Sequence, residues 1–114
     1  MVDIDRVVSD LRSLLKRIGI SNYIEAPAVR GLYCFWHGLT PLYVGSAKSD
    51  IRDRMGDHIL CKSNGDPGLC GYIGKYDGAV QVVPLPLDIP YDDLLRVERQ
   101  VIKILKPMFN DQHI

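Results

Sequence analysis

The chain has 114 residues, enough for one domain with a small core, and its 46% apolar and 25% charged content is that of an ordinary globular protein. Its 14 acids match its 14 bases, so the formal net charge is zero, which excludes a protein that coats nucleic acid by bulk charge. No apolar run approaches the roughly 18 residues of a membrane span. The start, Met1-Val2-Asp3-Ile4-Asp5, lacks the basic-then-apolar layout of a signal peptide. The expected location is the cytoplasm, with nucleoid association if the source is bacterial. The odd set Cys34, Cys61 and Cys70 points to free thiols in a reducing compartment. Joined with His37 and His58, Cys61 and Cys70 match no common zinc spacing.

Residues 4–18 place Ile4, Val7, Val8, Leu11, Leu14, Leu15 and Ile18 at spacings of three and four, the pattern of a packing helix, with Gly19 as its stop. Residues 29–36 and 42–46 form a β-hairpin, with Gly38 and Pro41 as turn signals between its strands. Residues 50–60 predict a helix with Ile51, Met55 and Ile59 on one face. The stretch 61–78, with its many glycines, reads as a loop with at most a short helical turn. Residues 79–87 predict a third strand, whose prolines push its far end towards a sheet edge. Residues 91–106 predict the last long helix, ending before Pro107. The order α, β, β, α, β, α predicts the α+β class: a small three-stranded sheet flanked by helices.

Two tripeptides of the hairpin carry phenols beside glycines: Gly31-Leu32-Tyr33 and Tyr43-Val44-Gly45. A phenol donates or accepts a hydrogen bond, and as a phenolate it is a base. On the middle helix, Arg54 and His58 are four apart and share a face. Arginine grips phosphate in a bidentate manner, and histidine is the usual acid or base near neutral pH. The plain alternative is a solvated pair at a helix edge. Lys48 and Arg52 suit phosphate contacts or ordinary surface charge.

The last helix breaks its own pattern. Leu94, Val97, Val101, Ile102, Ile104 and Leu105 form an apolar stripe, and Glu98 projects from near its centre. A carboxylate there needs a buried arginine partner or a bound cation. A lone carboxylate suits a hard cation such as Mg²⁺, which keeps most of its waters. Asn110, three residues after Pro107, is either a turn residue or an amide that anchors the C-terminal segment over the hairpin or orients a site side chain.

Together these positions resemble the GIY-YIG nuclease family over residues 30–110. Gly31-Leu32-Tyr33 stands for the first signature tripeptide and Tyr43-Val44-Gly45 for the second. Ser46, Lys48, Arg54 and His58 follow in the family's order, and then Glu98, Pro107 and Asn110. The combination of two tyrosines, Arg, His, Glu and Asn is most like the restriction-enzyme branch. Leu32 and Val44 replace isoleucines, and the stretch from Gly45 to Arg54 is about one residue longer than usual.

The resemblance implies a GIY-YIG-like antiparallel sheet and a nuclease domain at 30–114, with 1–29 an N-terminal helical extension packed on the same domain. It also implies a metal-dependent DNA endonuclease. Glu98 would hold Mg²⁺ or Mn²⁺, Tyr33 would be the general base, and Arg54 would stabilise the transition state. Tyr43 and His58 would position water and phosphate, with Lys48 and Asn110 in support. The alternative is a weak or inactive module of the same fold that binds DNA or protein. A double-strand cut needs two sites, so a homodimer is open. No separate DNA-recognition domain is present in this sequence, so a partner supplying DNA specificity is open too.

Overall fold

Strand β1 (Gly31–His37) is buried at every position except His37. That requires cover on both faces and a central place in the sheet. In the computed structural model, which describes residues 2–18, 26–63, 65–76 and 78–110, β1 lies between β2 (Thr40–Ala47) and β3 (Val80–Pro86), antiparallel to both. The prolines of β3 do sit on an edge strand, as read from the sequence.

Alternation along β1 divides the interior in two. Leu32, Cys34 and Trp36 join a core with Val7, Val8 and Leu11 of α1 (Ile4–Ile18) and Leu94, Val97 and Val101 of α4 (Tyr91–Leu105). Tyr33 and Phe35 join a second core with Ile51 and Met55 of α2 (Ile51–Ile59) and Leu69 of α3 (Pro67–Lys75). The apolar face of α1 is thus buried within its own chain, against α4 and β3. Gly19, the expected stop of α1, lies outside the described residues.

Three local features set the hairpin. The pairing slips between Phe35 and Trp36, so that Leu42 is the extra residue of a bulge. Leu42 and Tyr43 both pack on the second core as a result. Gly45 lies opposite Tyr33, and a Cβ there would collide with the ring and hydroxyl of Tyr33. At Gly31 a Cβ would collide with the backbone of Leu85 and Pro86. The signature glycines are therefore room for neighbours. Replacing Gly45 by alanine is expected to cost about 1–3 kcal/mol through overpacking, measured as a lowered urea midpoint with an unchanged slope.

After α4 the chain turns through Lys106, held in the left-handed region at φ 50°. It then runs beside β2: Met108 and Phe109 donate to the carbonyls of Pro41 and Leu42 at 3.2 and 2.8 Å. Asn110 completes the contact. Its Oδ1 accepts from the Val44 N–H at 2.7 Å, and its Nδ2 donates to the Val44 carbonyl at 3.0 Å. Of the two functional uses read for Asn110, the structure shows the anchor of the C-terminal segment on the hairpin.

Two expectations are corrected here. Within the stretch read as loop, residues 67–75 form a nine-residue helix, α3, which makes the order α, β, β, α, α, β, α. Asp66 is its N-cap and Pro67 its first residue, a favourable start that outweighs the glycines. Cys61 and Cys70 are joined in a disulfide with Cα atoms 5.4 Å apart, leaving buried Cys34 as the free thiol. Cys61, at φ 57°, turns the chain after α2, and α3 presents Cys70 to it. The cysteines therefore give no argument for a reducing compartment. Among the described residues, no helix is long and apolar enough to cross a membrane.

Candidate active site

Tyr33 is carried inward by the central strand and is wholly buried. The Tyr43 ring stacks near it at 6.4 Å between centroids. His58, on α2, lies 4.7 Å from the Tyr43 ring centre. The Tyr33 Oη and the His58 Nε2 are 3.0 Å apart. His58 is only 1% exposed, which rules out the solvated helix edge. Arg54, one turn earlier, hydrogen-bonds the same phenol and pairs with the Asp57 carboxylate at 3.0 Å. Tyr33, Tyr43, Arg54 and His58 thus form one cluster.

Glu98 faces this cluster from α4. The Ser46 hydroxyl donates to its Oε2 at 3.2 Å. Glu98 has no ion-pair partner among the described residues, so the alternative of a buried arginine pair falls. Lys48 stands apart, with its Nζ 5.5 Å from the centre of the Tyr91 ring. Its carbonyl accepts from Arg30 Nε at 2.6 Å. Asn110 reaches the site only through the backbone of Val44, between Tyr43 and Gly45.

Burial governs the electrostatics. It pushes the Tyr33 phenol well above the usual 10.0; Tyr43 and Glu98 add to this, and the Arg54 charge and hydrogen bond oppose it. Tyr43 is raised by burial and by Glu98 and Asp66. His58 is lowered to about 4, by burial first and Arg54 second, against the pull of Asp66 and Asp57. Glu98 is raised by burial, which the Ser46 hydrogen bond and the charges of Arg99 and Arg54 offset in part.

The arrangement joins a carboxylate with no ion-pair partner among the described residues, a guanidinium and two phenols. That donor set fits a hard divalent cation held at Glu98. No group of three His, Cys, Asp or Glu side chains able to hold a metal occurs among the described residues. An ion at Glu98 would therefore keep water or substrate oxygens in most of its positions.

Two residues of the site were not read from the sequence. Asp57, buried and paired with Arg54, follows it by three residues, a helix-face spacing that could have been noticed. Asp66 is buried beside His58, and its only sequence signal is the Asp-Pro-Gly start of α3.

The structure is similar to the GIY-YIG N-terminal endonuclease domain of UvrC from Thermotoga maritima. A point mutant of that domain, bound to its catalytic divalent cation, aligns with a TM-score of 0.57 at 20% identity, over 76% of this chain and 88% of that one. The domain bound to magnesium aligns with a TM-score of 0.55 at 21% identity, over 76% and 89%. No protein-family model matches the sequence, and no curated protein does.

Proposed function

We propose that this chain, which has the fold of a GIY-YIG endonuclease domain, is a metal-dependent DNA endonuclease. The observation that carries this reading is Glu98: a half-buried carboxylate with no ion-pair partner among the described residues, facing a phenol that Arg54 and His58 both touch. Glu98 would hold Mg²⁺ or Mn²⁺, which when bound would polarise the scissile phosphate and stabilise charge on the leaving oxygen.

The chain's own residues do the rest. Tyr33, as phenolate, takes a proton from the attacking water. The water oxygen forms a bond to phosphorus as the bond to the leaving oxygen breaks. The products are a phosphate end and a hydroxyl end, the latter protonated by solvent. Arg54 stabilises the negative charge of the pentavalent transition state. It also favours the phenolate of Tyr33, which burial opposes. Tyr43 positions water and phosphate, while His58 acts on the Tyr33 oxygen, 3.0 Å from its Nε2.

The second reading is a module that binds DNA without cutting, and one observation favours it: Tyr33 is wholly buried, which opposes the phenolate that a general base needs. A nicking assay on supercoiled plasmid separates the two. The endonuclease converts plasmid to open circle with Mg²⁺ or Mn²⁺ and not with EDTA. Binding without nicking under either metal overturns the endonuclease reading.

A further inference from the structure

His58 has two ring nitrogens, and the structure gives each a partner. The backbone N–H of Asp66 lies 2.9 Å from Nδ1. A backbone amide can only donate, so Nδ1 must be the unprotonated nitrogen. The proton of the neutral ring is then on Nε2, which faces the Tyr33 Oη at 3.0 Å. His58 is therefore the donor in that contact. The phenol oxygen accepts, and the phenol's own proton must point elsewhere.

The loop that brings this N–H to His58 is held at several points. The Asp66 carboxylate accepts from the Leu69 N–H at 2.9 Å and so caps α3. The Lys62 N–H donates to the Asp57 carbonyl, and the Gly65 N–H to the Lys62 carbonyl, both at 2.9 Å. Gly65 lies so close to the backbone of Asp57 and His58 that a Cβ there would be 3.0 Å from the His58 Cα. The Cys61–Cys70 disulfide closes the same loop.

We propose that Asp66 is a positioning residue of the active site: its backbone N–H fixes His58 in the Nε2–H form and makes it a standing donor to the Tyr33 oxygen. In that role His58 cannot take the proton of Tyr33 or of the attacking water through Nε2. It supports negative charge on the phenol oxygen instead, alongside Arg54. The tautomer stands on the two hydrogen bonds alone, and only its consequence for cleavage rests on the endonuclease reading.

Nitrogen NMR of the histidine rings tests this. In the wild type, His58 should show a protonated, pyrrole-type Nε2 and a bare, pyridine-type Nδ1. Asp66 has φ −79°, which proline can adopt; Asp66→Pro replaces the N–H by a ring carbon that displaces Nδ1, and it also removes the side-chain cap on Leu69. That variant should show mixed tautomers at His58 and cleave about tenfold more slowly or worse, the scale seen when the outer partner of a functional histidine is lost. Asp66→Asn keeps the N–H and should keep the wild-type ring spectrum. If Asp66→Pro does not fold, Gly65→Ala, which pushes the same loop off Asp57 and His58, should give the mixed spectrum and the same slowing. A protonated Nδ1 in the wild type overturns the tautomer. A mixed-tautomer variant that cuts at the wild-type rate overturns the positioning role. If the wild type cuts nothing, the endonuclease reading fails while the ring spectrum still decides the tautomer.

Discussion

Glu98→Gln is expected to lose metal-dependent cleavage by at least about a hundredfold, equal to about 2.7 kcal/mol of transition-state stabilisation, without loss of fold. The amide keeps the shape of the carboxylate and can still accept from the Ser46 hydroxyl, which now donates at 3.2 Å. What it loses is the charge that would hold the cation. Burial raises the pKa of Glu98, so its carboxylate is a net cost to the folded state at neutral pH. The sign follows. Protonation relieves this cost, so wild-type stability gains as pH falls through the raised pKa, and the glutamine variant gains nothing from that group. Glu98→Gln should therefore melt at or above the wild-type temperature at pH 7, and the gap should close below the usual 4.5 of the carboxyl. Added Mg²⁺ should raise the Tm of the wild type and not of the variant. A variant as active as the wild type, or a wild type equally active in EDTA, rejects Glu98 as the metal ligand.

The second large effect is Tyr33→Phe. The ring keeps its place on Gly45 and in the core, and only the oxygen is removed. Loss of a positioned general base costs about 10²–10⁴-fold in rate, while affinity for DNA, which needs no base, is retained. The buried Nε2 of His58 loses its acceptor, so stability should fall by about 1–3 kcal/mol. The pH profile checks the role. With the phenol pushed well above 10.0, only a small fraction is phenolate at neutral pH. Wild-type cleavage should then climb about tenfold per pH unit through the range 7–9, because the base form grows in that proportion. His58, lowered to about 4, adds no inflection near its usual 6.5. Wild-type turnover by Tyr33→Phe, or a plateau already reached at pH 7, rejects Tyr33 as the base.

Much of this was legible in the sequence because it rests on periodicity. The apolar repeat of residues 4–18 marks α1 with the ends that the structure shows. The hairpin follows from Gly38, which turns the chain at φ 60°, whereas Pro41, read as a turn signal, lies inside β2 opposite Trp36. Glu98 stands out because its stripe is otherwise apolar. Helix α3 was obscured by its glycines, although Asp66 and Pro67 mark its start by side-chain capping and a preset φ. With α3 unread, Cys70 had no place beside Cys61, and Asp66 had none beside His58. Asp66 acts through its backbone, which every residue has, so no pattern of side chains announces it. Lys48 shows the reverse case. Its place in the chain suggests the phenols, but its Nζ lies over Tyr91 instead.

The segment 108–110 has a consequence for how this chain meets other chains. A sheet of three strands has two outer rims, and each rim is a template for strand addition. On β2, part of the rim is already taken by Met108, Phe109 and Asn110, which use the backbone groups of Pro41, Leu42 and Val44. On β3, Pro84 and Pro86 have no N–H to offer a newcomer. Both rims are thus poor templates, one by occupation and one by chemistry. Self-association by extending the sheet is disfavoured, and a second copy of this chain would have to dock through helices and loops.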